Sequence, residues 1–225
     1  MYMQKIAADP DCTTVNDIIS FSCTPTFSTA FLAQILLGFR HKSSGVLQYH
    51  FCTEMPDKIR TQLRHDHLDL AVIEHCTGFD LNGFKTVHLP DDELVFVSAD
   101  LTILEQIDHV RELFRYSLLC SCIGCCSRII LEDSLTQQNV SFAQFKSVIE
   151  CSDLGMLLQS LLSGVGVAFM PRVLINSYLK NGQLKEFNVR DFKYSRKRTL
   201  AFRPFANKDN SAKAFADRIV EYFNV

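Results

Sequence analysis

Apolar positions along the chain switch between two spacings, and the order of the switches predicts the architecture. Residues 17–23, Asp17-Ile-Ile-Ser-Phe-Ser-Cys23, form a short β-rich run that stops at Thr24-Pro25-Thr26. Thr24 suits a helix N-cap and Pro25 the first helical position, where its missing N–H costs nothing. Beyond them Phe27, Phe31, Ile35 and Phe39 recur every fourth residue with Leu32 and Leu36 beside them, one apolar stripe able to pack on a sheet. The unit repeats after Gly45: a strand over 46–52, then a helix over about 56–65 with Met55, Ile59 and Leu63 on one face. The apolar run at 68–73 reads as a parallel strand buried on both faces.

A turn at Pro90-Asp91-Asp92 sets apart the next predicted strand, 93–97, and a second series follows. It comprises a helix over 104–114, a strand at 117–120, the loop 121–126, and a helix capped by Ser127 and running through Leu135. Next come a strand at 147–151, a helix capped by Ser152-Asp153 that carries Leu154, Leu157, Leu158, Leu161 and Leu162, and a strand over 165–170. Pro171 opens another helix, strands follow at 184–189 and 199–205, and Phe215, Ile219 and Phe223 line a closing helix over 211–223. Strand and helix in alternation imply right-handed crossovers and mainly parallel sheets. The expected fold is α/β with two lobes joined by two crossing strands: lobe I from 17–96 plus 200–225, lobe II from 97–199, and a linker remnant at 1–16.

Composition narrows the function classes. The formal charge is −2 and no Lys/Arg-rich block occurs, so this chain by itself lacks the clustered basic footprint that grips nucleic-acid phosphates. The start has no apolar signal core and no segment offers the roughly 18–20 apolar residues of a membrane span, which predicts a cytosolic location without membrane contact. The odd count of nine cysteines argues for reduced thiols, most of them buried small hydrophobes. G-x-S-x-G, P-loop, G-x-G-x-x-G and H-E-x-x-H motifs are lacking, and no cofactor or metal is expected. Cys126, His75 and Glu54 could be assembled into a thiol hydrolase only on paper, so no enzyme is predicted.

Five strings in order, Ile18-Ile-Ser-Phe-Ser-Cys-Thr24, His67-Leu-Asp-Leu-Ala-Val72, Asp92-Glu-Leu-Val-Phe-Val97, Leu161-Leu-Ser-Gly-Val-Gly-Val-Ala-Phe-Met-Pro171 and Asn181-Gly-Gln-Leu184, resemble the effector-binding domain of LysR-type regulators. The resemblance spans about 17–223. It implies a type 2 periplasmic-binding-protein-like fold, a small-molecule effector, and a homo-oligomer, dimer or tetramer. It also implies DNA contact only through an N-terminal winged helix-turn-helix outside this chain, either trimmed away or naturally lacking. Within the strings, Gly164 and Gly166 read as a tight turn between helix and buried strand, Gly182 as a helix C-cap, and Asp69 as a strand-start residue.

Open parallel sheets bind ligands beyond the carboxyl ends of their strands, where helix starts present free N–H groups. Those points are 24–26, 53–56, 74–75, 123–127 and 151–152, which gives Thr24, Pro25, Thr26, Glu54, Met55, Pro56, His75, Ile123, Gly124, Cys125, Cys126, Ser127 and Ser152 as candidate effector contacts. Thr24 is read either as a pure cap or as a cap that also offers its hydroxyl. Glu54 would repel a carboxylate, which favours a neutral, amine-bearing or bulky effector. His75 is read as a solvated loop residue or as a contact. Three readings stand for the segment 120–126: cleft wall; a redox sensor at Cys125 or Cys126, its thiol made acidic by the helix dipole and Arg128; or a metal site at Cys122 and Cys125. The redox reading resembles peroxide-sensing LysR-type regulators, and it takes Cys151 or Cys120 as partner because adjacent cysteines do not bridge readily.

Overall fold

A computed structural model describes residues 15–39, 46–203 and 210–225. The linker expected at 1–16 falls almost wholly outside the described residues, as do Gly45 and the end of the strand expected at 199–205. Strands β1 (Val15–Cys23), β2 (Val46–Thr53) and β3 (Leu70–His75) lie parallel in the order β2-β1-β3. Every residue of β3 is buried, as its apolar run requires of a strand covered on both faces. The helical run after β1 is α1 (Pro25–Phe27), one π-type turn at Ser28–Leu32, and α2 (Ala33–Gly38). It buries Phe27 and Ile35 against the sheet, with Phe31, Leu32, Leu36 and Phe39 at the margin. Helix α3 (Pro56–Arg64) buries Ile59 and Leu63 with Leu68, Ala71 and Ile73.

The second series is parallel as well. Strand β6 (Ser117–Ser121) lies between β7 (Ser147–Cys151) and β8 (Val167–Pro171), covered by α4 (Cys126–Gln137) and α5 (Leu154–Leu162). Helix α6 (Asn176–Lys180) has Asn181 at its C-cap, and Gly182 follows at φ +67°, the left-handed position after the cap that its residue type allows. Gly164 and Gly166 have separate reasons: Gly164 takes φ +75°, while a Cβ on Gly166 would stand 2.0 Å from the Ser117 carbonyl oxygen.

Two strands join the halves. Strand β4 (Lys85–Ser98) pairs antiparallel with β10 (Ser195–Phe202) through its first part and with β8 through its last, and β10 also pairs with β3. The joined order is β2-β1-β3-β10-β4-β8-β6-β7. Helix α7 (Asn210–Phe223) closes the first half, where Phe215 meets Phe21 edge-on at 5.3 Å and Ile219 is fully buried. Each such side chain removed from water contributes about 1.5–3 kcal/mol.

Several boundaries differ from expectation. Residues 90–92 are no turn before the strand but lie inside β4, at a bulge where the register slips between Arg196 and Arg198; Pro90 sits there because a bulge tolerates its missing donor. The helix expected over 104–114 is instead β5 (Gln106–Ile107) and a 3-10 turn at Val110–Leu113. Of its apolar residues Ile107, Val110 and Leu113 are buried, while Leu104 is exposed. The carbonyls of Glu105 and Ile107, however, accept from Asn188 and Arg190 around β9 (Lys185–Val189), so the backbone bonds a helix needs are taken. Strand β3 begins two residues late, after Asp69, which bonds Ser20 on β1: Ser20 N–H donates to Asp69 Oδ2 at 2.7 Å.

Candidate functional site

The carboxyl ends of β1, β2, β3, β6 and β7 open onto one cleft of about 430 Å3, within the size range of small-molecule sites. One wall carries Thr24, Pro25, Thr26, Ser28 and Thr29 after β1, and Thr53, Glu54, Met55 and Pro56 after β2. The other carries Ser121, Cys122, Cys125, Cys126 and Ser127 after β6, and Cys151, Ser152, Asp153 and Leu154 after β7. Glu74, Arg196 and Pro171 complete the lining.

Helices α1, α3 and α4 begin here with no side-chain cap on their N-terminal N–H groups, leaving donors and partial positive charge at the cleft. Helix α5 differs, since Asp153 Oδ1 accepts from the Met156 N–H at 2.8 Å. Pro25 and Pro56 each occupy a first helical turn, as expected. The caps expected of Thr24 and Ser127 are not formed. Ser127 stands inside the first turn of α4, whose cap position is Cys125. Thr24 takes its hydroxyl elsewhere, donating to Glu74 Oε2 at 2.8 Å and accepting from the Glu74 N–H at 3.2 Å.

Those bonds belong to a buried charge cluster beneath the first wall. Glu74, Asp92, Arg196 and Arg198 are all at most 4% exposed. Arg196 Nε donates to Asp92 Oδ2 at 2.9 Å, and its Nη2 to Thr26 Oγ1 at 2.8 Å and Glu74 Oε2 at 3.3 Å. Arg198 Nε donates to Glu74 Oε1 at 3.1 Å, its Nη2 to Asp92 Oδ1 at 2.8 Å, and its Nη1 to the Pro90 carbonyl. Its guanidinium also lies over Phe31, 4.8 Å from the ring centre. Burial opposes the charge of Arg196, but Glu74 and Asp92 outweigh it and raise its pKa. Two positive and two negative charges cancel, so the floor is polar without net charge.

Of the thirteen candidate contacts, ten line the cleft and three do not. His75 is no solvated loop residue: it ends β3 at 7% exposure, its Nε2 bonding Thr199 Oγ1 at 2.9 Å and its ring 5.3 Å from that of Phe79. Alternation along the strand turns Glu74 to the cleft and His75 away. Burial depresses its pKa, the main cause of the shift. Ile123 and Gly124 form the tip of the loop after β6, where Ile123 is exposed and Gly124 takes φ +89°. Arg196, Ser28, Thr29, Asp153, Leu154 and Pro171 were beyond the sequence reading; a paired charge in the string Ser195-Arg-Lys-Arg198 was the available signal.

The cysteine segment also departs from expectation. Arg128 is spent on Glu132 and Glu150 and lies over Phe142, so it does not acidify Cys126. The pKa of Cys126 is raised, first by the hydrogen bond with Cys76 and then by burial. Its near neighbour is Cys76, not Cys151 or Cys120: the sulfurs lie 2.7 Å apart. The same bond holds Cys76 below the ordinary thiol range, despite burial. Burial pushes Cys120 up to about 11 and, with Glu74, Cys23 up to about 12. Cys125 Sγ bonds Ser127 Oγ at 3.1 Å. Among the described residues no group of three or more His, Cys, Asp and Glu side chains is placed to hold a metal ion, against the reading of Cys122 and Cys125 as a metal pair. No described helix is long and apolar enough to cross a membrane.

Residues 15–224 match the family model of the LysR substrate binding domain. The chain is 21% identical over 199 residues to a probable RuBisCO transcriptional regulator of Emiliania huxleyi, covering 87% of this chain and 63% of that protein. The bromide-bound regulatory domain of HypT from Salmonella typhimurium superposes with a TM-score of 0.74 at 16% identity, covering 96% of this chain and 99% of that one. The effector binding domain of QuiR in complex with shikimate gives 0.70 at 17% identity, covering 92% and 97%.

Proposed function

The chain belongs to the LysR substrate-binding-domain family, which is a transcription-regulator and not an enzyme family, and on that premise we propose that its cleft is the effector site of a transcription regulator. The observation that carries the proposal is the convergence of three uncapped helix starts, a screen of hydroxyls and an internally neutralised charge cluster on one cleft of small-molecule size. Such a site recognises a small oxygen-rich molecule by hydrogen bonds, with any anionic group of the ligand placed at the helix starts. Glu54 does not stand against this, because its Oε1 accepts from Lys58 Nζ at 2.5 Å and its charge is partly met.

Regulation follows from differential affinity. A ligand that contacts both walls favours the arrangement of lobes that lets it do so, and shifts the population by the difference in binding between arrangements. The lobes in this proposal are 17–96 with 200–225, and 97–199, linked by β4 and β10. The parent protein, a cytosolic dimer or tetramer, reads DNA through a separate N-terminal unit and takes its signal from this one.

A thermal-shift screen tests the site. Shikimate and related hydroxylated acids, the class seen with QuiR, are the first probes, followed by neutral and amine-bearing metabolites. A true effector raises the melting temperature of the chain and fails to raise that of Ser152→Trp, whose new ring enters the cleft from an exposed rim position. A compound that shifts both equally binds elsewhere and counts against the proposal.

A further inference from the structure

We propose that Cys76 and Cys126 form a reversible disulfide that ties the end of β3 to the first turn of α4 on oxidation by a hydroperoxide. The two residues are fifty apart in sequence, belong to opposite halves of the molecule, and bring their sulfurs to 2.7 Å. Two thiols in ordinary van der Waals contact stay farther apart, and this separation is within about 0.7 Å of a sulfur–sulfur bond of ~2.0 Å. Cys76 Sγ also lies 3.7 Å from the Cys126 carbonyl oxygen.

The two sulfurs are unlike, and the difference assigns their roles. Cys76 is half-buried and its contact with Cys126 lowers its pKa, whereas Cys126 is 2% exposed, so Cys76 is the better thiolate and the sulfur a peroxide meets. The Cys76 thiolate attacks the terminal peroxide oxygen, the O–O bond breaks, and the alcohol or water leaves with a proton, giving a sulfenic acid at Cys76. Cys126 then loses its proton and attacks that sulfur; the S–S bond forms and the hydroxyl departs as water. Two thiols are oxidised by two electrons and one hydroperoxide is reduced.

The consequence concerns the cleft. Cys126 is part of its lining, so the bond pins one wall to the sheet under the other. That consequence rests on the effector reading, whereas the bond itself does not.

The test is therefore placed on the bond. The reduced 225-residue chain is treated with equimolar hydrogen peroxide, its free thiols are titrated, and its peptides are mapped without reduction. The expected result is the loss of two of the nine thiols, a Cys76–Cys126 cross-linked peptide, full recovery on dithiothreitol, and the same bond in Cys125→Ser and Cys151→Ser. A different pairing of Cys126, over-oxidation of Cys76 without a cross-link, or retention of all nine thiols overturns the proposal. None of these outcomes depends on whether a metabolite binds the cleft, so failure here leaves the effector site standing, and failure of the metabolite screen leaves the bond standing.

Discussion

The two walls of the cleft are built from opposite materials. Beneath one, Glu74, Asp92, Arg196 and Arg198 lock three strands with charge-assisted hydrogen bonds; along the other, Cys122, Cys125, Cys126, Ser127 and Cys151 present small side chains with few partners among them. The charged wall is costly to disturb because each ion's desolvation has been offset only by its partners. The sulfur wall carries little such cost, and is free to differ in shape and chemistry.

The largest effect is expected at Glu74. Glu74→Ala leaves two buried guanidiniums with one carboxylate and removes the Thr24 partner, and should cost about 3–5 kcal/mol in urea unfolding. A cost below ~1 kcal/mol would erase the contrast between the walls. Thr24→Val, which removes a hydroxyl that both donates to and accepts from Glu74, should cost about 1–3 kcal/mol by the same assay. On the opposite wall Cys125→Ser should change stability by less than ~0.5 kcal/mol.

A smaller effect sharpens the comparison through pH. Burial keeps the folded-state pKa of His75 below its unfolded value, so below about pH 6.5 the unfolded chain binds more protons and stability falls with acid. Between pH 7 and 5.5 the melting temperature should drop in the wild type and drop less in His75→Gln. An equal or steeper drop in the variant would show that this histidine does not carry the acid sensitivity of the strand end.

How much was legible in the sequence follows the same division. Apolar periodicity located both parallel sheets and most covering helices, because Phe27, Ile35, Ile59, Leu63, Leu157 and Leu161 declare their buried faces locally. The strand ends that meet the cleft followed from alternation, and so did ten of the thirteen candidate contacts. The charged wall has no local signal, since nothing within Ser195-Arg-Lys-Arg198 names its partners Asp92 and Glu74, more than a hundred residues away. The apolar run at 68–73 stops two residues short of the end of β3, so it does not show that His75 belongs to the strand and that alternation turns Glu74 to the cleft. The Cys76–Cys126 approach is likewise a long-range contact with no spacing rule to announce it.

The claim that the helix starts serve one ligand site is tested most directly by backbone amide shifts. A 15N-labelled chain is titrated with a compound that raises its melting temperature. The account predicts concerted changes at 24–29, 53–56, 121–127 and 151–154, on both walls at one stoichiometry. Changes confined to one wall, or gathered on a surface away from the cleft, would contradict it.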